Sequence, residues 1–368
     1  MRKLTVEQTD TAAYAADSTI RTAIEREGLL THIDFVADIT PSASLDGVNQ
    51  PDGIFRLVQN LRIMGGSQTY INLPADDGAQ GGTLLHYLSM EDGYSLGHSD
   101  GGIAAPQLTN FHMVFPIHMG SRPRDMYGRD NPFDLTAFIP AGNESQLNAE
   151  WITSGGDVLD DATTITVATS LGRFVLHRVV GTEAELKAEM ARQRVNLPQE
   201  AGITGMYPVW SARSYANVGA TTDFDAEQID VVVGAFLKRI SWLSQDATAT
   251  RTLRAQDEVT RIALKVPGTS EDLFRARLQY QYRNTGLSSI TNADDAAQTF
   301  GNNVPYGVHS IDLRARAQTI PGYDYGLDLR AATNGSLRLG MLITAFAAGD
   351  DTLYLFERYS PYYLALVQ

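Results

Sequence analysis

The amino-acid sequence predicts an all-β protein made of two tandem eight-stranded jelly-roll sandwiches, with a short N-terminal helix and a second helix near the domain junction. Three observations support this prediction. Many short segments of alternating polarity are separated by Gly, Pro, Asn and Asp, which is the pattern of antiparallel strands and their turns. The segments follow a similar order in the two halves of the chain. A length of 368 residues is enough for two domains with separate cores.

The composition excludes several classes of function. Hydrophobic residues make up 43% and charged residues 20% of the chain, which is typical of a globular protein. A net charge of −14 disfavours a broad nucleic-acid groove, because such a surface repels phosphate. The chain has no cysteine, so disulfides, thiolate metal sites and cysteine nucleophiles are excluded. No apolar run approaches the ~20 residues that span a bilayer, and the N-terminus lacks the apolar segment of a signal peptide.

Residues 1–27 are predicted to form an N-terminal arm with a short helix. Ala12 and Ala13 favour a helix, and Ile20 and Ile24 are spaced to share one helical face. Gly28 is predicted to end this helix.

Residues 28–195 are predicted to form the first jelly roll. Pro116 lies within one apolar segment and predicts an edge or bulged strand there, because proline cannot donate a ladder hydrogen bond. The predicted strands of this half are Leu30–Ile39, Ile54–Met64, Thr69–Leu73, Phe111–Met119, Leu135–Ile139, Leu147–Ile152, Thr163–Thr169 and Arg173–Val180.

The clearest helical segment is Thr182–Val195. Thr182 and Glu185 form a capping box, which satisfies two backbone donors at a helix N-terminus. The polar segment Asn196–Gly205 is interpreted as a linker, so residues 206–368 are predicted to form the second jelly roll.

The second half repeats the strand pattern. In the segment Phe274–Arg283, alternation favours a strand but a capping box at Thr269 and Asp272 favours a helix; the helix is preferred. The predicted strands are Gln228–Leu243, Thr248–Arg254, Glu258–Val266, Val308–Ala317, Gly326–Ala331, Leu337–Ala347 and Thr352–Arg358.

Matching segments in the two halves favour an internal duplication. Val58–Met64 is similar in apolar pattern to Leu237–Leu243, and Phe111–Gly120 occupies the same place as Val308–Ala317. Further along, Phe133-Asp134-Leu135 matches Leu327-Asp328-Leu329, and turns precede Leu147 and Leu337. The alternative is that any two all-β domains share such patterns.

The order of these segments resembles a known family. The chain opens with an arm, the run Arg26-Glu27-Gly28-Leu29-Leu30, a strand, a loop, Ile54–Met64 and Gly65-Gly66. This opening, the duplication and the central helix resemble the double jelly-roll major capsid proteins of tailless icosahedral viruses of the PRD1-adenovirus-like lineage.

The resemblance implies a structural function in the virion. Three chains would form a pseudo-hexagonal capsomer, and capsomers would tile an icosahedral shell. The implied partners are other copies of the chain, minor capsid and vertex proteins, and an internal viral membrane reached through the N-terminal arm, with no direct contact to nucleic acid. Met1-Arg2-Lys3 forms a small cationic tip suited to anionic lipid, although a solvated terminus is an equal interpretation.

No catalytic, cofactor-binding or metal-ligating residue is predicted, and the chain is expected not to be an enzyme. His112 and His118 share one face of a predicted strand, but a cupin metal site needs a His-x-His pair and a downstream Glu, so packing or surface placement is favoured. The seven histidines are His32, His86, His98, His112, His118, His177 and His309.

Two other groups of residues have the composition of a binding site. The Asp pairs are interpreted as solvated turns rather than calcium ligands; they are Asp76-Asp77, Asp160-Asp161, Asp294-Asp295 and Asp350-Asp351. The C-terminal aromatic residues are interpreted as a core or interface strand rather than a sugar-stacking platform; they are Tyr354, Phe356, Tyr359, Tyr362 and Tyr363. Two alternative functions remain: a β-sandwich carbohydrate-active enzyme or lectin, and another phage structural protein of the tail or baseplate.

Overall fold

The fold consists of antiparallel β-sheets with one α-helix among the residues that the structure describes. The structure is a computed structural model. It describes residues 1–8, 12–13, 18–39, 58–66, 68–73, 84, 111–122, 129–153, 171–216, 228–246, 253–254, 259–266, 272–277, 308–314, 323–343 and 351–363.

The first half of the chain forms two facing sheets. Its strands are β1 (Arg2–Glu7), β2 (Ala12–Ala13), β3 (Thr19–Ala23), β4 (Leu29–Ile39), β5 (Val58–Gly65), β6 (Thr69–Leu73), β7 (Phe111–His118), β8 (Leu147–Thr153) and β9 (Leu171–Val180). Sheet I has the order β1-β9-β4-β7, with β2 also paired to β9, and sheet II has the order β3-β8-β5-β6. Phe35 and Phe174 of sheet I share one buried cluster with Ile63 and Trp151 of sheet II, so the two sheets enclose a sandwich core.

The second half forms another pair of sheets. Its strands are β10 (Gly205–Pro208), β11 (Ser211–Ala216), β12 (Gln228–Asp230), β13 (Phe236–Asp246), β14 (Leu253–Arg254), β15 (Val259–Lys265), β16 (Asp272–Arg277), β17 (Val308–Asp312), β18 (Leu327–Asp328), β19 (Arg338–Ile343) and β20 (Asp351–Tyr362). Sheet III has the order β10-β20-β13-β14; β11 also pairs with β20, and β17 and β18 pair with β13. Sheet IV has the order β12-β19-β15-β16. Trp242 and Phe356 of sheet III share a core with Leu264 and Met341 of sheet IV.

The two sandwiches have the same strand order. Sheets II and IV correspond strand for strand, and the run β9-β4-β7 of sheet I corresponds to β20-β13-β17 of sheet III. The similarity of Phe111–Gly120 to Val308–Ala317 agrees with this correspondence, because β7 and β17 occupy equivalent positions. The similarity of Val58–Met64 to Leu237–Leu243 does not agree with this correspondence, because β13 corresponds to β4 rather than to β5.

The predicted N-terminal helix is wrong among the described residues of this segment. Thr5 and Val6 are β-branched, and all six residues of β1 pair with β9, while β3 pairs with β8. Because these ladders satisfy the backbone hydrogen bonds, tertiary pairing overrides the helical preference of the alanines. Gly28 ends no helix; it adopts a φ of 66° just before β4, where an added Cβ would lie 2.6 Å from the carbonyl oxygen of Val179.

The predicted central helix is confirmed. Helix α1 covers Glu183–Arg192, and Thr182 and Glu185 form the predicted capping box. Its buried Met190 belongs to a small cluster with Val179 of β9, so the helix packs against the end of the first sandwich.

Two further predictions need correction. The segment Phe274–Arg283, for which a helix is preferred from the sequence, begins instead within strand β16, whose residues pair with β15. The alternation of its polar and apolar residues agrees with this strand. Leu135–Ile139 is not a regular strand but a turn-rich segment joined to β4 by a single bridge between Ile139 and Leu30. The predicted strand Thr163–Thr169 lies outside the described residues, and the domain boundaries stay a prediction.

Strand β20 contributes to both cores. Its residues Leu353 and Leu355 belong to the core cluster of the first sandwich, whereas Tyr354 and Phe356 belong to that of the second. Because side chains alternate between the faces of a strand, sheet III is a wall shared by the two sandwiches. Backbone hydrogen bonds between Trp210 and β6 of sheet II also join them.

Candidate functional site

A row of three histidines crosses sheet I. His32 of β4 is paired in register with His118 of β7 and with His177 of β9. Ile33 and Phe35 of β4 point into the core, so alternation places the histidine row on the opposite face. The imidazole ring of His32 lies 3.9 Å from that of His118 and 4.9 Å from that of His177, measured between ring centroids.

Asp34 lies between two of these histidines. It follows His32 by two residues and therefore shares its face of β4. Its two carboxylate oxygens contact different rings, Oδ1 at 2.7 Å from Nε2 of His32 and Oδ2 at 2.9 Å from Nε2 of His177. On the other side of its ring, His177 contacts Thr5 of β1, with 3.1 Å between Nδ1 and Oγ1.

These contacts determine the charge of Asp34. Burial alone would raise the pKa of its carboxyl group, but hydrogen bonds from His177 and His32, together with their positive charge, outweigh burial. The pKa of Asp34 is therefore held well below its usual range, and the group is an anion at neutral pH.

His118, at the other end of the row, has the opposite preference. Its burial lowers the pKa of its imidazole well below the usual range, and the nearby positive charge of His32 and Lys238 acts in the same direction. His118 is therefore neutral at neutral pH, with Nε2 at 3.9 Å from a carboxylate oxygen of Asp130.

The equivalent row of sheet III contains a buried ion cluster. Arg239 of β13 is paired in register with Asp312 of β17 and with Glu357 of β20. Glu357 accepts a contact of 2.7 Å from Nη2 of Arg239 and one of 3.0 Å from Nζ of Lys238. The side chains of Glu357, Arg239 and Lys238 are at most 2% exposed.

The backbone around the two rows is also equivalent. A β-bulge leaves Thr31 of β4 without a partner in β9 directly before the histidine row, and a second bulge leaves Lys238 of β13 without one in β20 directly before the ion row. Arg178 and Arg358 are buried next to the row in β9 and β20 respectively. The duplication therefore extends to the irregularities of the strands.

Salt bridges join the N-terminal segment to helix α1. The amino group of Met1 contacts the carboxylate of Glu185, and Nζ of Lys3 lies 3.0 Å from a carboxylate oxygen of Glu189, both in α1. Hydrogen bonds from the N-terminal amino group and from Thr182 lower the pKa of Glu185 to about 2. The cationic tip is thus matched by acidic residues of the same chain.

The candidate residues from the sequence lie in different parts of the structure. His118 belongs to the row, while the side chain of His112 lies outside the described residues. Three of the Asp pairs lie outside the described residues, as do the side chains of the fourth. Of the C-terminal aromatic residues, Tyr354, Phe356 and Tyr359 are fully buried and belong to the core, whereas Tyr362 is partly buried and Tyr363 is 50% exposed.

The sequence prediction missed the group formed by His32, Asp34 and His177. Alternation in β4 was enough to place His32 and Asp34 on one face, but only the register between β4 and β9 brings His177 to them. Within the described residues, these three form the sole group of metal-ligating side chains whose ligand atoms lie within 4.8 Å of one another. In the same part of the chain, no helix is long and apolar enough to cross a membrane.

The geometry defines the chain as a double jelly-roll protein, and comparison with solved structures confirms this fold. The major capsid protein of Sulfolobus turreted icosahedral virus superposes with a TM-score of 0.67 at 16% identity, covering 100% of both chains. The capsid of the virus PBCV-1 gives a TM-score of 0.57 at 12% identity, covering 97% of this chain and 93% of that one. The major capsid protein P2 of bacteriophage PM2 gives 0.51 at 11% identity, covering 98% and 97%. No protein-family model and no curated protein sequence matches the chain.

Proposed function

We propose that the protein is a viral major capsid protein, located in the virion, whose copies form pseudo-hexagonal trimeric capsomers that tile an icosahedral shell. The observation that carries this proposal is the repetition of one strand order in two sandwiches that share sheet III as a wall. The similar structures are capsid proteins of viruses, and the similarity covers 93% to 100% of their chains, which supports the proposal.

The duplicated fold suits a trimer for a geometric reason. A closed ring requires each copy to present one surface to the next copy around a rotation axis. Three copies arranged in this way present two sandwiches each, which gives the ring a pseudo-sixfold outline. Such an outline can be surrounded by six neighbours in a flat layer, as a shell facet requires.

The shared wall makes each chain a stiff unit. Leu243, Leu353 and Leu355 of sheet III are buried in the first core, and Tyr325 donates a hydrogen bond of 2.7 Å to the carbonyl oxygen of Thr136 across the junction. A shell subunit benefits from this stiffness because contacts to its neighbours must keep one geometry.

The proposal also includes partners other than further copies of the chain. Minor capsid and vertex proteins would contact the capsomers, and an internal membrane would be reached through the N-terminal strand. A lipid contact at this strand would require Met1 and Lys3 to exchange the carboxylates of Glu185 and Glu189 for lipid phosphates. We propose no enzymatic activity; three of the C-terminal aromatic residues, Tyr354, Phe356 and Tyr359, are buried and cannot stack on a sugar.

The solution mass of the purified protein tests the proposal. Light scattering on a size-exclusion column is expected to give three chain masses, with hexagonal outlines or shells in negative-stain images of the same peak. A protein that stays monomeric at every concentration and salt tested would contradict the capsid function. Binding to a glycan array by such a monomer would instead support the lectin alternative.

A further inference from the structure

We propose that His32, Asp34 and His177 bind a divalent transition-metal ion of the zinc type, in a structural site that joins β4 and β9 beneath the N-terminal strand β1. This site is independent of capsid assembly and goes beyond the proposed function. It rests on the convergence of the three ligand atoms and on the chemistry of the donors around them.

The backbone already brings the ligands together. His32 and His177 are register partners on adjacent antiparallel strands, and Asp34 lies two residues along the same strand as His32. Both Nε2 atoms face the same carboxylate at 2.7 and 2.9 Å, and all three ligand atoms lie within 4.8 Å of one another. Ligands of a tetrahedral zinc ion lie about 2.0–2.2 Å from the metal, so small side-chain adjustments accommodate an ion among these atoms.

The donor set selects the class of metal. Two imidazole nitrogens with one carboxylate suit zinc and neighbouring transition metals, whereas calcium and magnesium prefer oxygen ligands. Three protein ligands leave a fourth tetrahedral position for water. The side chains of His177 and Asp34 are 12% and 22% exposed, so an ion and its water can reach the site from solvent.

A second contact supports the assignment. A metal-ligating histidine donates the N–H of its other ring nitrogen to a neighbouring acceptor, which fixes the ring. Oγ1 of Thr5 lies 3.1 Å from Nδ1 of His177 and can be that acceptor. Without metal, the Nε2–H of each histidine donates to Asp34; on binding, this proton leaves Nε2 for Nδ1 or solvent, and the Nε2 lone pair binds the ion.

The site would couple the metal to the N-terminal strand. Thr5 is the register partner of His177 in the β1–β9 ladder, so fixing the ring of His177 also fixes the middle of β1. Loss of the ion is expected to loosen β1 before the rest of the sheet, because β1 lies at the sheet edge.

Titration of metal-free protein with Zn²⁺ and Co²⁺ tests the proposal directly. After dialysis against a chelator, calorimetry is expected to show one Zn²⁺ per chain. At free Zn²⁺ about a hundredfold above Kd, Tm is expected to rise by roughly 3–4 °C. Co²⁺ should give the visible absorption bands of a low-symmetry four-coordinate ion. A wild-type protein with neither stoichiometric Zn²⁺ binding nor these bands would overturn the proposal, whatever its oligomeric state.

Variants assign the site. His177→Gln and Asp34→Asn are each expected to abolish the Co²⁺ bands, and Thr5→Val to weaken Zn²⁺ binding at least tenfold through the ring of His177. Asp130→Asn is the control: it removes an exposed carboxylate beside His118 and should bind Zn²⁺ like the wild type. Folding of each variant is checked by circular dichroism, and if a variant is unfolded the wild-type titration decides alone. Unchanged binding by folded His177→Gln and Asp34→Asn would show that the metal binds elsewhere and overturn the assignment.

Discussion

The two sandwiches place different chemistry at the same point of the same backbone. In sheet I the cross-strand row is His177, His32 and His118, and in sheet III the equivalent row holds Glu357, Arg239 and Asp312. Both rows follow a bulge at the same place in the central strand.

Exposure accounts for part of the difference. In the first row, His177 and the adjacent Asp34 are 12% and 22% exposed. In the second row, Glu357 and the two cations around it are buried, whereas Asp312 is 32% exposed. The partly exposed groups can exchange ligands and protons with solvent. The buried ion cluster requires full charge compensation within the protein, because a buried ion without its partner costs several kcal/mol. The two sandwiches thus share the same hydrogen-bond ladders, while the side chains in each row differ with their burial.

Removing the charge of Glu357, the buried anion of the second row, gives the largest expected effect. Glu357→Gln leaves the side chains of Arg239 and Lys238 buried without a counter-charge, so the free energy of unfolding is expected to fall by about 3–5 kcal/mol. Urea denaturation followed by tryptophan fluorescence measures this change. The matched control is Glu200→Gln, which breaks an exposed pair with Arg330 and should cost less than about 1 kcal/mol. Equal costs for the two variants would show that burial does not increase the dependence of the ion cluster on its counter-charge.

Neutralising Asp34, the anion beside the histidine row, should cost less. In metal-free protein, Asp34→Asn weakens its hydrogen bonds with His32 and His177, and water can partly replace the contact at the partly exposed His177, so a loss of about 1–3 kcal/mol is expected. The same denaturation in the presence of a chelator measures it. A loss as large as that of Glu357→Gln would mean that the histidine row is as dependent on its charge as the buried one.

The smallest expected effect is a loss of unfolding free energy at acidic pH. Burial alone would raise the pKa of Asp312, but the hydrogen bond and charge of Arg314, with the charge of Arg239, lower it to about 2. Because the folded-state pKa lies below the unfolded one, the stability that Asp312 contributes is present above pH ~4 and is lost as the pH falls towards ~2. The difference in unfolding free energy between wild type and Asp312→Asn should therefore shrink across this range. A difference that stays constant would assign the stability to packing.

Local patterns were enough for much of the fold. The alternation of Leu30–Ile39 and the short apolar run Thr69–Leu73 predict β4 and β6 nearly to the residue, and the capping box predicts α1. These elements have strong local signals that agree with their tertiary environment.

Other elements depend on distant partners. The N-terminal segment has alanines that favour a helix, yet β1 forms because β9 presents an open edge. Glu357 and Arg239 have the local pattern of exposed strand residues, and only the second jelly roll's position against the first buries them. His177 lies far along the chain from His32, so the candidate metal site follows from register, which local sequence does not specify.

The wall shared by the two sandwiches also constrains how the chain is made. Leu353 and Leu355 close the first core, but they lie in β20, the final described strand to leave the ribosome. Until then, Trp210 and the neighbouring surface of the first sandwich have no cover, so the first half of a growing chain exposes apolar area that chaperones recognise. The two jelly rolls therefore mature together only once β20 has been synthesised, and a chain truncated before β20 is expected to yield no stable subunit.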